Sequence, residues 1–216
     1  GVRGPVTSLR LPDLTIPGDF SSAAFHLAAG TLCADPQILL EGVNLNPTRT
    51  GLLSVLERMG AQIEVRQRPP AAGEPYGDLV VHRADRLRAT EVEPHEVPGV
   101  IDEIPGLAAL GALLPEGAEM RVRGAAELRV KESDRISCLA TGLRALGASV
   151  EEYPDGFRLE ARPLTGGSVD AADDHRLAMA FAIAATGAAQ PTTILGASSV
   201  DVSYPGFFDA LERLTR

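Results

Sequence analysis

The 216-residue sequence is poor in the residues that several classes of protein depend on: it has no Trp, three Tyr, six Phe, two Cys and a formal charge of −9. Nucleic-acid-binding proteins rely on a net basic face and on aromatic side chains for base stacking, so this composition argues against that class. No apolar run approaches the roughly 18 residues of a membrane span. We therefore expect neither nucleic acid nor a membrane as a partner.

The two cysteines, Cys33 and Cys138, show no Cys-x-x-Cys or nearby His spacing. We therefore expect no disulfide framework or zinc site, and a reducing cytoplasm as the location.

The sequence starts at Gly1 without an initiator Met or the apolar core of a signal peptide, which suggests a processed chain or an internal fragment.

What the sequence does contain is an internal repeat. The segment 56–65 (LERMGAQIEV) returns at 143–152 (LRALGASVEE), and a shortened copy (LERL) stands at 211–214. Each copy is typical of the end of an amphipathic helix, with Gly60 and Gly147 as C-terminal caps, followed by a short strand. The alternative is an ordinary α/β alternation with chance matches.

Two further features recur ahead of these helices. Short strands ending at Gly are predicted at 37–42, 118–124 and 191–196. Upstream of each strand is an apolar helix opened by an acid; the acids are Asp19, Asp102 and Asp174, and the helices are 21–30, 107–114 and 177–187. Since one unit cannot bury such a helix alone, we expect three units packed around a shared core.

These repeats divide the chain into predicted units of about 17–84, 85–162 and 163–216. Residues 1–16 fall outside the units and contain a predicted strand at 6–11. We interpret them as a tail from something that precedes this domain.

A basic cluster stands out in this acidic chain, with five cationic side chains between residues 121 and 135. A helix is predicted to start at Ser133 or just before it, which would place Lys131 and Arg135 on one face. At a helix N-terminus these cations would favour a phosphate or carboxylate. The alternative is a solvated charged turn.

Acidic and basic side chains also mark the starts of the predicted central helices. Asp174 is a good N-cap, and His175 and Arg176 should reach the helix end, where an Arg can bind an anion bidentately. Asp102 either caps its helix or, if the helix starts converge, faces the cations as an ionised base. Glu132, beside Lys131, is a second carboxylate able to move protons.

In the first unit, Asp19 or Ser21 is expected to cap the helix, although the hydroxyls there could also bind a ligand. The sequence shows no phosphate-binding loop, dinucleotide glycine fingerprint, metal-ligand spacing or nucleophile motif, so no cofactor is expected.

These motifs resemble those of the EPSP synthase family. The carriers, in order, are PGDFSSA at 17–23, NPTRTG at 46–51, IDEIP at 101–105, LRVKESDRI at 128–136, DHR at 174–176 and VSYP at 202–205. The resemblance covers 17–216 and implies a C-terminal domain of the α/β (α+β) class, an inside-out barrel of three βαβαββ units around buried parallel helices. It also implies a missing N-terminal domain, for which residues 1–16 would be the tail or crossover.

The resemblance implies a reaction as well: transfer of the enolpyruvyl group of phosphoenolpyruvate to the 5-hydroxyl of shikimate 3-phosphate, in chorismate and aromatic amino acid biosynthesis. Asp102 matches the proton acceptor that also binds shikimate hydroxyls, and Glu132 the proton donor to the methylene carbon. Lys131 resembles a substrate-binding lysine, Arg135 and Arg176 resemble phosphoenolpyruvate ligands, and His175 lies beside them. No metal is needed, and a monomeric full enzyme is expected.

The chain departs from the family pattern at two places, where Glu127 stands for an Asn and Val202 for a Lys of some members. Two other readings remain open: a domain of UDP-N-acetylglucosamine enolpyruvyl transferase, and an isolated anion-binding module without chemistry. Because closure of two domains is needed to position both substrates, the fragment alone is expected to lack turnover.

Overall fold

The protein's structure, a computed structural model, describes residues 4, 5, 8, 13–33, 37–71 and 73–215. Apart from Ser8, the predicted strand at 6–11 lies outside these residues. The α-helices in the described part are α1 (Phe20–Cys33), α2 (Gly51–Met59), α3 (Ile104–Ala112), α4 (Arg135–Ala145), α5 (His175–Ala185), α6 (Val200–Ser203) and α7 (Phe207–Thr215). Short 3₁₀ helices lie at Val97–Gly99, Ile101–Glu103, Ala126–Val130 and Ala197–Ser199.

The strands of the described residues form three small sheets. Their bounds are β1 (Gln37–Asn44), β2 (Gln62–Ala71), β3 (Glu74–His82), β4 (Glu91–Val92), β5 (Glu119–Val122), β6 (Ser149–Tyr153), β7 (Gly156–Glu160), β8 (Gly167–Asp170) and β9 (Thr192–Leu195). The sheet orders are β1-β3-β2, β4-β5-β7-β6 and β8-β9.

In the described residues the second unit has the full βαβαββ order, and the other two have parts of it. In the second unit, β4 pairs in parallel with β5 across α3, and the antiparallel hairpin β6-β7 follows α4 and extends the sheet. In the first unit, a single parallel bridge between Gly18 and Val43 takes the place of the first strand pair. In the third unit, β8 and β9 are parallel, and α7 follows them.

The repeated glycines adopt repeated geometry. The N–H of Gly60 bonds to the carbonyl of Glu57, and that of Ala61 to Leu56; Gly147 and Ala148 bond in the same way to Arg144 and Leu143. Both glycines are left-handed, with φ of 99° and 109°, a conformation that disfavours a Cβ. The helix-ending role predicted for them is confirmed.

The core is formed by the three central helices α1, α3 and α5. All nine residues of α3 are buried, as is α5 from Leu177 to Ala184. By contrast, α2 buries one stripe of residues spaced three or four apart, Leu52, Val55, Leu56 and Met59, as expected of a helix with one face on the core and one in water. The predicted α/β architecture is therefore confirmed.

The predicted C-terminal ends of the three central helices, at 30, 114 and 187, differ from the observed ends at 33, 112 and 185, and the difference is largest in the first. The first central helix does not end at Gly30 but continues to Cys33. Gly30 lies inside the helix. A Cβ at this position would come within 2.5 Å of Ile38 Cδ1. This glycine therefore permits close packing of α1 on β1.

None of the helices in the described ranges is both long enough and apolar enough to cross a membrane.

Candidate functional site

The predicted site residues lie at the N-terminal ends of three helices. Asp102 is in the 3₁₀ turn Ile101–Glu103 that leads into α3, Arg135 is the first residue of α4, and His175 and Arg176 are the first two of α5. Lys131 and Glu132 lie in the loop that precedes α4. Residues from two units and four chain segments therefore meet at one end of the core.

Asp102 is at the centre of this group. Its Oδ1 lies 3.2 Å from Arg135 Nη1 and 3.9 Å from Lys131 Nζ, and its Oδ2 lies 3.7 Å from Arg176 Nη2. The Asp102 carbonyl also accepts a hydrogen bond from Arg176 Nη1 over 3.2 Å. Of the two roles considered for Asp102, helix cap and carboxylate among cations, the structure has the second, because the N-cap position of α3 is Glu103 and the Asp102 carboxylate pairs with cations.

The predicted placement of Lys131 on a helical face with Arg135 is wrong. Asp134 caps α4 by accepting from the N–H of Ser137, so the helix starts at Arg135. Lys131 has an extended backbone at the end of the preceding 3₁₀ helix. The two cations nevertheless reach the same carboxylate, because the loop turns Lys131 toward Asp102.

Arg135 is 1% exposed and bound by carboxylates on several sides. Its Nε donates to Asp174 Oδ2 over 2.8 Å, and its Nη2 donates to Glu132 Oε2 over 2.6 Å. Burial alone would raise the pKa of Asp174, but the hydrogen bonds and charge of Arg135 outweigh it, and the pKa lies below its ordinary value. The pair is therefore ionised at neutral pH.

Asp174 also has the capping role predicted for it. Its Oδ1 accepts from the N–H of Arg176 over 2.9 Å, and Ser133 Oγ donates to its Oδ2 over 3.0 Å. The sequence reading identified the cap but not the partnership with Arg135.

The remaining members of the site are more accessible to solvent. The side chains of Glu132, Lys131 and Arg176 are 52%, 25% and 14% exposed. Lys131 Nζ is also 3.0 Å from Glu127 Oε1, so the residue that stands in place of the family Asn is bound to the lysine. An incoming anion would have Lys131 and Arg176 as its accessible cations.

His175 is half-buried at the start of α5. Burial lowers the pKa of its imidazole, and the nearby charge of Arg176 lowers it further. At neutral pH the ring is therefore neutral and able to accept or donate a hydrogen bond.

The other three cations of the basic cluster pair with carboxylates outside the group around Asp102. Arg121 pairs with Glu119, and Arg123 with Glu91 and Glu93. Arg129 binds Asp134, Glu152 and the carbonyls of Tyr153 and Pro154, which fastens the loop to the β6-β7 hairpin.

Three further residues near the site are linked to one another: the sequence predicted no role for Glu103 or Arg49, and it offered Ser21 as a helix cap or a ligand-binding hydroxyl. Glu103 is 4% exposed and accepts a hydrogen bond from Ser21 Oγ, which accepts one from Arg49 Nη2 over 2.8 Å. The cap of α1 is Asp19, whose Oδ2 accepts from the N–H of Ser22 over 2.7 Å, so Ser21 is free for Glu103. The one available signal was the second acid beside Asp102.

Comparison with known proteins identifies the family. The family model for EPSP synthase (3-phosphoshikimate 1-carboxyvinyltransferase) matches residues 2–211 of the sequence. The chain belongs to the EPSP synthase family. A 3-phosphoshikimate 1-carboxyvinyltransferase of Synechococcus sp. (strain JA-3-3Ab) is 49% identical over 92% of this chain and 44% of its own length. That of Gloeobacter violaceus is 47% identical over 99% of this chain and 49% of its own length.

Solved structures agree with this assignment to the EPSP synthase family. An EPSP synthase from Acinetobacter baumannii superposes with a TM-score of 0.87 and 36% identity, over 93% of this chain and 46% of that one. The enolpyruvyl transferase NikO from Streptomyces tendae, 23% identical with a TM-score of 0.70, shares the fold. The chain spans about half the length of the family members that it matches.

Proposed function

We propose that residues 17–216 are the C-terminal domain of a 3-phosphoshikimate 1-carboxyvinyltransferase, with residues 1–16 as the crossover from an N-terminal domain. With that domain, the chain would transfer the enolpyruvyl group of phosphoenolpyruvate to the 5-hydroxyl of shikimate 3-phosphate. The observation that carries this proposal is the contact of Asp102 with Lys131, Arg135 and Arg176, next to Glu132.

The proposed chemistry is an addition followed by an elimination. In the addition, the 5-hydroxyl oxygen bonds to C2 of phosphoenolpyruvate, its proton passes to Asp102, and C3 takes a proton from Glu132. In the elimination, C3 returns a proton to Glu132, the C2–O bond to phosphate breaks, and the departing phosphate takes the proton held by Asp102. Lys131, Arg135 and Arg176 stabilise the carboxylate and phosphate charges throughout.

Glu132 is suited to this exchange because it is half-exposed while its Oε2 is held 2.6 Å from Arg135 Nη2. Asp102 suits the acceptor role because its carboxylate lies among the three cations that would hold the anionic substrates, Lys131, Arg135 and Arg176. His175, neutral at neutral pH, would orient the reacting groups. No cofactor enters this scheme.

The isolated chain is expected to lack turnover. Two anionic substrates must be held in reacting geometry, and this depends on closure of two domains. We further propose that the complete enzyme is a cytoplasmic monomer in chorismate and aromatic amino acid biosynthesis.

The test supplies the missing half. The chain is fused behind the first half of the Synechococcus sp. (strain JA-3-3Ab) relative, and the unaltered relative is the positive control. The assay follows phosphate release from phosphoenolpyruvate with shikimate 3-phosphate, and in parallel with UDP-N-acetylglucosamine. We expect release with shikimate 3-phosphate only, falling by about 10²–10⁴-fold in Asp102→Ala and in Glu132→Ala.

Two outcomes would reject the proposal. A fusion that unfolds cooperatively, binds shikimate 3-phosphate and releases no phosphate would indicate an anion-binding module. Release with UDP-N-acetylglucosamine alone would assign the other transferase.

A further inference from the structure

Glu103 has a role that the proposed chemistry does not use. It follows Asp102 in the same 3₁₀ turn, yet the two carboxyl groups face different units. Asp102 meets cations of the second and third units, whereas Glu103 Oε1 accepts a hydrogen bond from Ser21 Oγ, on α1 of the first unit. Ser21 lies 82 residues away in the chain, so this contact joins two units.

The contact continues to the surface. Ser21 is fully buried, and its oxygen accepts from Nη2 of the exposed Arg49 over 2.8 Å. Ser21 Oγ thus donates its single proton to Glu103, toward the core, and accepts a hydrogen bond from Arg49, at the surface. We call these three residues, Arg49, Ser21 and Glu103, the mouth chain.

Stability does not explain a carboxyl group at this place. Removing a carboxylate from water costs more than its pairing usually returns, and an apolar side chain of similar size would serve the core as well. Burial raises the pKa of Glu103; the Ser21 hydrogen bond and the charges of Arg176 and Arg49 oppose the rise, while Asp102 adds to it. A carboxyl group buried at this cost points to a role in geometry.

We propose that Glu103 is a positioning residue for Asp102, and that the mouth chain fastens the 3₁₀ turn to the start of α1. Asp102 and Glu103 are consecutive, so a displacement of Glu103 moves the Asp102 carboxylate relative to Arg135 and Arg176. In so far as Asp102 is the proton acceptor, the inference rests on the proposed function. A misplacement of about 1 Å in such a group can cost about 10²-fold in rate.

The kinetic test compares variants that break the mouth chain with variants that keep it, in the fusion enzyme. Ser21→Ala and Glu103→Ala remove a partner. Ser21→Thr keeps a hydroxyl, and Glu103→Gln keeps an acceptor oxygen without the charge. We expect the first two to lower kcat by about 10²-fold with KM for phosphoenolpyruvate changed less than about 3-fold, and the last two to retain most of kcat.

The double variant Ser21→Ala/Glu103→Ala should be no slower than Glu103→Ala, because both changes break the same link. Thr31→Val is the matched control: it deletes another buried hydroxyl of α1, whose bond goes to the carbonyl of Leu27 within the helix. It should leave kcat unchanged.

A second measurement does not depend on the activity. In the ¹⁵N-labelled 216-residue chain, the Nε–H resonance of Arg176 reports on the turn, because Arg176 Nη1 donates to the Asp102 carbonyl. Ser21→Ala and Glu103→Ala should shift this resonance, and Ser21→Thr and Glu103→Gln should not. If the fusion is inactive but this pattern holds, the proposed function fails while the fastening of the turn stands.

Either of two results would overturn the inference. Wild-type kcat and an unmoved Arg176 resonance in Ser21→Ala and Glu103→Ala would show that the mouth chain positions nothing. A loss of kcat in Glu103→Gln as large as in Glu103→Ala would show that the charge acts, and not the link.

Discussion

The guanidinium of Arg135 and the carboxylate of Asp174 join the second unit to the third. Arg135 Nε donates to Asp174 Oδ2 over 2.8 Å and Nη2 to Oδ1 over 3.3 Å, between side chains that are 1% and 0% exposed. Because the same carboxylate caps α5, one residue fixes both the buried arginine and the start of a central helix.

Asp174→Asn should destabilise the chain by about 3–5 kcal/mol, since it leaves the buried Arg135 without its buried counter-ion. Asn can still accept a hydrogen bond from the N–H of Arg176, so the helix cap is retained. The loss of stability therefore reports on the ion pair alone. Urea unfolding at neutral pH measures the loss. The control Glu64→Gln breaks an exposed pair with Arg66 and should leave the midpoint unchanged; an equal shift in both variants would contradict the prediction.

The stability difference between wild type and Asp174→Asn should change in a defined direction at acid pH. The pKa of Asp174 is below its ordinary value of 3.8, so the stability from its ionisation is fully present above pH 3.8. It is lost as the pH falls through the lower folded-state pKa. The stability gap between wild type and Asp174→Asn should therefore narrow below pH 3.8; a constant gap would show that the pair is not ionised.

Glu103→Gln should show the opposite pH dependence. The pKa of Glu103 is raised above 4.5, so the folded chain holds a proton that the unfolded chain has already lost. Wild-type stability therefore decreases as the pH rises from 4.5 through the folded-state pKa, and Gln has no proton to lose. Unfolding midpoints from pH 4.5 to about pH 7 should increasingly favour Gln relative to wild type. A gap independent of pH would mean that Glu103 titrates normally.

Glu127→Gln should strengthen anion binding by the chain. Glu127 lies 3.0 Å from Lys131 Nζ and is 67% exposed, so its removal frees the lysine and deletes a repelling charge. We expect the affinity for inorganic phosphate to rise about two- to five-fold at low ionic strength. The control Glu116→Gln removes the same charge from another exposed position. Equal effects of the two changes would assign the gain to net charge.

Gly142→Ala should destabilise the contact between α4 and α5. A Cβ on Gly142 would overlap the ring of Phe181, and overpacking of this kind costs about 1–3 kcal/mol. Gly106→Ala is the matched control in another helix, since its Cβ would make an ordinary 3.4 Å contact with Phe25 Cε1. Thermal unfolding of both variants measures the difference, and equal stability would mean that Phe181 can move aside.

Much of the fold could be predicted from the sequence because its signals are local and repeated. Gly60 and Gly147 mark helix ends, and three apolar helices follow three acids, so the unit could be counted before its packing was known. The helix end predicted at Gly30 was wrong because a glycine inside a helix can also permit close packing. At Gly30 this packing depends on Ile38, which lies in a neighbouring strand.

The sequence predicted which residues gather at the site but not which of them pair with one another. Arg135 and Asp174 are 39 residues apart, and Ser21 and Glu103 are 82 apart; no local pattern specifies such contacts. The extended backbone of Lys131 also depends on distant bonds, those of Arg129 to the β6-β7 hairpin. The catalytic and binding roles of the site residues stay predictions until the variants are measured.

The three acids that open the central helices have diverged in what they do. Asp19 caps its helix, Asp174 caps its helix and pairs with Arg135, and Asp102, just ahead of α3, is not the capping residue and meets three cations. In a triplicated fold, two copies can go on meeting the folding requirement of a position while the third is released from it. The position that opens a central helix thus serves helix capping in two units and the charge arrangement of the site in the other.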